Sequence, residues 1–216
     1  MARPRRKAPG SYHHGELRQA LVDATLGIVQ SEGTGAVSLS AAARRVGVSP
    51  QATYNHFRDK GELLAAAAEE TVRALERRMR EARDAAGSPG ERLEATGLAY
   101  VAFARERAAQ FRLLSAPELA SKTRRPALAA AYEAAFAVLL EVIEECQGAG
   151  VVRRDGSRQL AVAAWGMVHG LAWLSVDHQL SVASAGEDAA RVALDALRVL
   201  FRGLRSVTTP STARMS

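Results

Sequence analysis

Between Ser38 and Lys60 the chain reads SLSAAARRVGVSPQATYNHFRDK, where hydroxyl, amide and basic side chains are interleaved with helix punctuation. Ser38 is placed to cap a short helix through Val46, since a serine oxygen accepts the backbone N–H groups a first turn leaves over. Gly47 suits the left-handed residue that ends such a helix. Ser49-Pro50 then reads as N-cap and first-turn proline of a second short helix, carried to about Phe57. Small Ala43 allows close approach, with Val46 and Val48 packed between the two. Short helices about a tight turn are a helix-turn-helix, whose second helix enters the major groove of DNA. Gln51 has the donor and acceptor needed for a base edge, and Pro50 and Ala52 suit a thymine methyl. Tyr54, Asn55 and His56 are donors for phosphate oxygens, and Lys60 is a point charge at the next helix start. An ordinary capped helical hairpin would show the same stops; the aromatic-polar run and the local charge favour DNA.

The charge is asymmetric. Of the net +6, residues 1–60 hold nine Lys/Arg against four acids, and the remainder twenty against nineteen. Such asymmetry points to an anionic partner for the first quarter of the chain. Within it, the arm Arg3-Pro4-Arg5-Arg6-Lys7 has two readings. Arg5 and Arg6 either track phosphates or enter a minor groove, or they belong to a disordered basic tail.

Elsewhere, catalytic patterns are missing. There is no phosphate-cradling glycine loop and no nucleophile elbow. His13 and His14 are adjacent and do not share a helix face. His169 and His178 lie about two and a half helical turns apart. No metal, cofactor or enzyme activity is expected. Instead Trp165, His169 and Trp173 are spaced i, i+4, i+8 on one helical face. With Phe103, Phe111, Tyr132, Phe136 and Leu139 they suit a mostly apolar ligand pocket with a few polar groups. The competing reading makes His169 a satisfied core histidine among packed tryptophans.

The elements that must hold these residues are helices. The chain has 216 residues, 48% of them hydrophobic but only 5% aromatic, so its core is built of Ala, Leu and Val. Such composition gives an all-α fold. The pattern predicts helices over about 14–32, 61–85, 91–108, 109–115, 126–147, 158–180 and 187–205, besides the two short ones, with Arg58-Asp59-Lys60-Gly61 as a turn. Gly87-Ser88-Pro89-Gly90 reads as a linker. The basic start lacks the apolar run of roughly 7–15 residues that a secretory signal needs. The lone Cys146 makes no internal disulfide and suits a reducing, cytoplasmic setting. From Gln159 to Val176 no residue is charged, nearly the length of a spanning helix. Gln159, His169, Ser175 and the bracketing Arg158 and Asp177 favour a helix buried on most sides instead, with no membrane partner.

These residues resemble the DNA-binding domain of the TetR/AcrR family of bacterial repressors. The signature is Ala43, Gly47-Val48-Ser49, Tyr54-Asn55-His56-Phe57, Lys60 and Leu63-Leu64, with Tyr12-His13-His14-Gly15-Glu16-Leu17-Arg18 similar to one branch's start. The resemblance implies that Ser38 caps its helix near a phosphate and that Ser40 meets DNA. It places Pro50, Gln51 and Ala52 at bases, and Tyr54, Asn55, His56 and Lys60 on the backbone. Thr53 stands where relatives carry a buried aliphatic residue and is expected half-buried; Ala42 stands where they carry Ile, Val or Leu. Trp165 to Gly170 resembles a Trp-x-x-x-His-Gly element of one C-terminal subtype. The resemblance further implies a homodimer on double-stranded operator DNA with a small-molecule effector, and a four-helix bundle from the last two helices of each copy. Leu160, Met167, Leu171, Leu174, Ala193, Leu197, Leu200 and Leu204 would form that interface, and a charge at Leu171 or Leu197 would give monomers. The expected layout is a basic arm (1–12), a three-helix helix-turn-helix domain (13–60), a larger helical ligand-binding and dimerisation domain (61–206) and a disordered tail (207–216).

Overall fold

The computed structural model describes residues 14–120, 125–180 and 189–204. The basic arm with Arg5 and Arg6, and the tail 207–216, lie outside them. The described residues form helices α1 (His14–Glu32), α2 (Leu39–Val46), α3 (Pro50–Tyr54), α4 (Lys60–Asp84), α5 (Pro89–Glu106), α6 (Ala108–Leu113), α7 (Pro126–Gly148), α8 (Ser157–Val176) and α9 (Ala189–Leu204). Short 3-10 turns stand at Thr34–Ala36 and Pro117–Leu119. No strand occurs among the described residues, as the all-α expectation requires.

Three helix ends differ most from the periodicity, each for a local reason. α8 stops at Val176 rather than near Leu180, where His178 takes φ 57° and its N–H donates to the Ser175 carbonyl at 3.3 Å. α3 stops at Tyr54 rather than near Phe57, because the Thr53 carbonyl accepts from both His56 N and Phe57 N at 3.0 Å. This bifurcated tightening ends a helix. α5 begins at Pro89 inside the segment read as a linker. Ser88 Oγ accepts from Glu91 N at 3.4 Å, and Glu91 Oε2 accepts from Ser88 N and Ser88 Oγ, each at 2.8 Å. That reciprocal capping box makes Ser88-Pro89 a helix start. The Ser88 N–H holds the Glu91 carboxyl below the usual carboxylate range.

The chain divides into two compact units. The first holds the residues up to 73 together with 107–131, so α1, α2, α3, the start of α4, α6 and the start of α7 share one core. Leu21, Val22, Ile28 and Val29 of α1, Phe57, Leu63 and Leu64, and Phe111, Leu113 and Leu119 are all buried in it. This unit therefore extends past the boundary expected at residue 60, because α6 supplies large apolar side chains to a head whose own core positions include Ala42 and Ala43.

The second unit holds 74–106 and the residues from 132 onward. In it α5 packs against both α8 and α9. A Cβ on Gly97 would stand 3.3 Å from Phe201 and 3.4 Å from Leu197, so α9 comes close to α5 at a residue without a side chain. Ion pairs tie the surface: Arg83 to Asp84 and Glu141, each at 2.7 Å, and Arg92 to Glu145 at 3.1 Å. The Arg83 hydrogen bond pulls the Asp84 carboxyl below its ordinary range. Cys146 is buried, and its thiol donates to the Pro89 carbonyl at 3.1 Å. Burial, helped by Glu145, pushes that thiol up to about 11, which makes it a poor nucleophile.

Candidate nucleic-acid interface

The helix-turn-helix is assembled by caps. Ser38 Oγ accepts from Ala41 N at 3.0 Å, starting α2. Gly47 takes φ 84°, ψ 31°, and both its N–H and that of Val48 donate to the Ala43 carbonyl, at 2.9 and 3.0 Å. A residue with a Cβ is strained there, which is why the turn needs glycine. Ser49 Oγ accepts from Ala52 N at 3.3 Å, and Pro50 opens α3. Ala42 and Ala43 are fully buried, while Val46 and Val48 are half-buried.

This scaffold turns one side of α3 inward and the other out. Thr53 and Phe57 are buried; Pro50, Gln51, Tyr54 and Asn55 are exposed, with Tyr54 53% exposed. Ala52 and His56 are half-buried, and Ser38 and Ser40 are exposed beside them in sequence on α2. Thr53 is thus fully buried where half-burial was expected, and its Oγ1 has no hydrogen-bond partner among the described residues. It occupies an aliphatic position with a polar atom, at some cost in stability.

Two cations gain a setting that the sequence did not show. The Arg18 guanidinium of α1 lies 5.3 Å from the centre of the Phe57 ring. Arg18 is exposed, and only its place in the basic first quarter hinted at a role. Lys60 Nζ lies 3.6 Å from Glu118 Oε1, on the Pro117–Leu119 turn of the same unit.

In the second unit the aromatic stripe closes on itself. Trp173 Nε1–H donates to His169 Nε2 at 3.0 Å, and His169 Nδ1 meets Tyr100 Oη at 2.8 Å. Indole is only a donor, so Nε2 carries the lone pair and the neutral ring donates from Nδ1 to Tyr100. Phe136 stands edge-on to Trp165, with ring centres 6.4 Å apart, and Arg158 lies over the Phe136 ring at 5.4 Å. Burial raises the Tyr100 hydroxyl well above its ordinary value and pushes Tyr132 up to about 12. Phe103 and Leu139 are buried in this unit. Phe111, expected in the same group, belongs to the core of the first unit. Tyr100, which the sequence reading missed, stands one helical turn before Phe103 on α5. Among the described residues no group of three or more His, Cys, Asp or Glu could hold a metal ion.

The expected dimer residues divide by burial. Leu160, Leu171, Ala193, Leu197, Leu200 and Leu204 pack inside the chain, Leu197 with no exposed surface. They are buried within the single chain, where α5, α8 and α9 pack together. Met167 at 45% and Leu174 at 39% exposure do face outward, joined by Val162, Trp165 and Val199. Gly166 and Gly170 lie on the exposed side of α8 with open space where a Cβ would be. By length and composition α7 as well as α8 could cross a membrane; both contribute buried residues to the core instead.

Comparison with known proteins places this geometry. Residues 21–67 match the model for bacterial regulatory proteins of the tetR family, and residues 93–197 the model for a tetracyclin repressor-like C-terminal domain. The HTH-type transcriptional regulator BetI of Rhizobium meliloti (strain 1021) is 42% identical over 82 residues, 36% of this chain. The chain spans only 38% of that relative's length. Among solved structures, a protein of unknown function from Rhodococcus sp. RHA1 is 29% identical with TM-score 0.76, covering 91% of this chain and 100% of that one. A TetR family transcriptional regulator, PfmR of Thermus thermophilus, shares the fold at TM-score 0.64 and 20% identity, covering 86% and 99%.

Proposed function

The chain belongs to the tetR family of bacterial regulatory proteins, and on that premise we propose that it is a dimeric repressor released from its operator by a small, mainly apolar ligand. The matched family and the curated relative are transcriptional regulators and not enzymes. Regulators of this family are in general soluble and cytoplasmic, and we assign this chain to the cytoplasm. The observation that carries the reading is α3, capped by Ser49 and presenting Gln51, Tyr54 and Asn55 outward.

Gln51 reads a base edge, with Pro50 and Ala52 against thymine methyls and Ser40 reaching from α2. Ser38, Tyr54, Asn55, His56 and Lys60 hold phosphates and fix the register. Arg5 and Arg6 add sequence-independent affinity. Residues 13–60 of the first unit carry this face, and the second unit senses the ligand and dimerises. The dimer forms through the outward residues of α8, with Val162, Trp165, Met167 and Leu174 against the same patch of a second copy. Ligand and DNA are then coupled through α4, a single helix that starts at Lys60 and continues into the second unit. A shift of α4 changes the spacing of the two recognition helices, which must reach successive major grooves. A gel shift against the protein's own upstream DNA tests the reading: Gln51→Ala should weaken the specific band while the protein stays folded and dimeric.

One observation favours a second reading, a regulator without a small-molecule ligand. Both ring nitrogens of His169 are engaged by Tyr100 and Trp173 of the same chain, as a structural core histidine would be. Thermal shift against an apolar compound library separates the two: stabilisation by any member supports the sensor, and a flat response supports the closed core.

A further inference from the structure

A carboxylate from a distant part of the chain stands against the lysine that opens α4. Glu118 Oε1 lies 3.6 Å from Lys60 Nζ, with the two side chains 38% and 35% exposed. The turn that carries Glu118 is anchored. Its neighbour Leu119 is fully buried, and Arg125 Nη2 donates to the Glu118 carbonyl at 3.1 Å. The other two carboxylates at this helix start are occupied. Asp59 Oδ1 accepts from Glu62 N at 2.8 Å. Glu62 Oε2 accepts from Arg58 N at 2.8 Å and pairs with the Arg58 guanidinium at 3.3 Å.

We propose that Glu118 tunes the affinity of the nucleic-acid face by competing with DNA phosphate for Lys60. The inference rests on the reading of Lys60 as a phosphate contact. An ammonium on a flexible stem serves either oxygen acceptor. In the free protein its charge is partly met by Glu118, so phosphate must displace or share that carboxylate. The exchange gives less than the pairing of phosphate with an unengaged lysine. Glu118 is a positioning residue: it acts on DNA only through Lys60. Because the turn is held by Leu119 and Arg125, its distance from α4 sets how much of Lys60 is offered.

The test uses the full-length protein as wild type, Glu118→Gln, Lys60→Met and the double variant. Each is titrated into mixed-sequence duplex DNA at several salt concentrations, with binding read by fluorescence anisotropy. Phosphate contacts act on any sequence, so no operator is needed. Glu118→Gln should bind about 1.4- to 5-fold tighter per head, the span measured for exposed ion pairs. Lys60→Met should weaken binding and lower the slope of log affinity against log salt by about 0.9 for each head on DNA. In the Lys60→Met background, Glu118→Gln should change nothing further. No gain from Glu118→Gln, with Lys60→Met still weakening binding, overturns the competition and leaves the Lys60 contact standing. An equal gain in both backgrounds overturns it too, since Glu118 then acts as a remote charge. If Lys60→Met moves neither affinity nor slope, the phosphate reading of Lys60 fails and the inference falls with it. Melting curves of each variant keep loss of fold apart from loss of binding.

Discussion

The outward sides of α3 and α8 differ in kind. α3 is short, held by Ser49 and by the Gly47 turn, and shows amide and phenol groups to solvent. α8 has no side-chain cap and shows Val162, Trp165, Met167 and Leu174 with open glycines between them. A face that meets DNA must offer hydrogen-bonding groups at fixed positions, so it is built on caps and tight turns. A face that meets a second copy of itself gains mainly from removing apolar surface from water, and a plain helix serves. The two exposed surfaces are thus of the kinds that the two proposed partners, DNA and a second copy, would need.

The sharpest way to break this contrast is to put a charge on either side of the helical layer in the second unit. Leu197→Asp buries an unpaired carboxylate and should cost upwards of about 4 kcal/mol, melting the protein. Met167→Asp should leave the protein folded, shift sedimentation from dimer to monomer, and lower the melting temperature only by the stabilisation that association supplied. On the other face, Gln51→Ala should cost about 1–3 kcal/mol of discrimination at one operator position without changing the melt, read by competition against substituted duplexes. Gly47→Ala, at φ 84°, should cost about 1–2 kcal/mol of stability by calorimetry and weaken DNA binding as well. Ser49→Ala removes a cap and should cost about 1 kcal/mol, again with weaker DNA binding because α3 is so short.

The smallest effect is one of pH. Glu91 is held below the usual carboxylate range by the Ser88 N–H, so its contribution is present above the ordinary carboxylate pKa. It fades as pH falls through the lowered value. Glu91→Gln should flatten a small acid-side fall in melting temperature while leaving neutral-pH DNA binding alone.

Much of this was readable in the residues because punctuation is local. α1 starts and stops at His14 and Glu32 as its periodicity says, and Ser38, Gly47 and Ser49-Pro50 do what their types dictate. The interface residues were less legible. α8 has no charged residue between Arg158 and its end, so nothing in its pattern marks which apolar residues face the core. Leu171 turned inward and Met167 outward, though both are large and apolar. Contacts between distant segments left no local trace either: nothing near Lys60 announces Glu118, and nothing near His169 announces Tyr100. For Thr53 the resemblance marked an aliphatic slot, but the hydroxyl argued for half-burial, and the fold buries it fully.

The central claim is that α3 of each of two copies reads DNA. Hydroxyl-radical footprinting of the full-length protein on its own upstream DNA tests it most directly. Two protected half-sites are expected, related by dyad symmetry and centred a whole number of helical turns apart, roughly 10 base pairs or a multiple of it, with protection in Gln51→Ala needing about 10- to 100-fold more protein. Protection of a single half-site, or a footprint that survives Gln51→Ala unchanged, would contradict it.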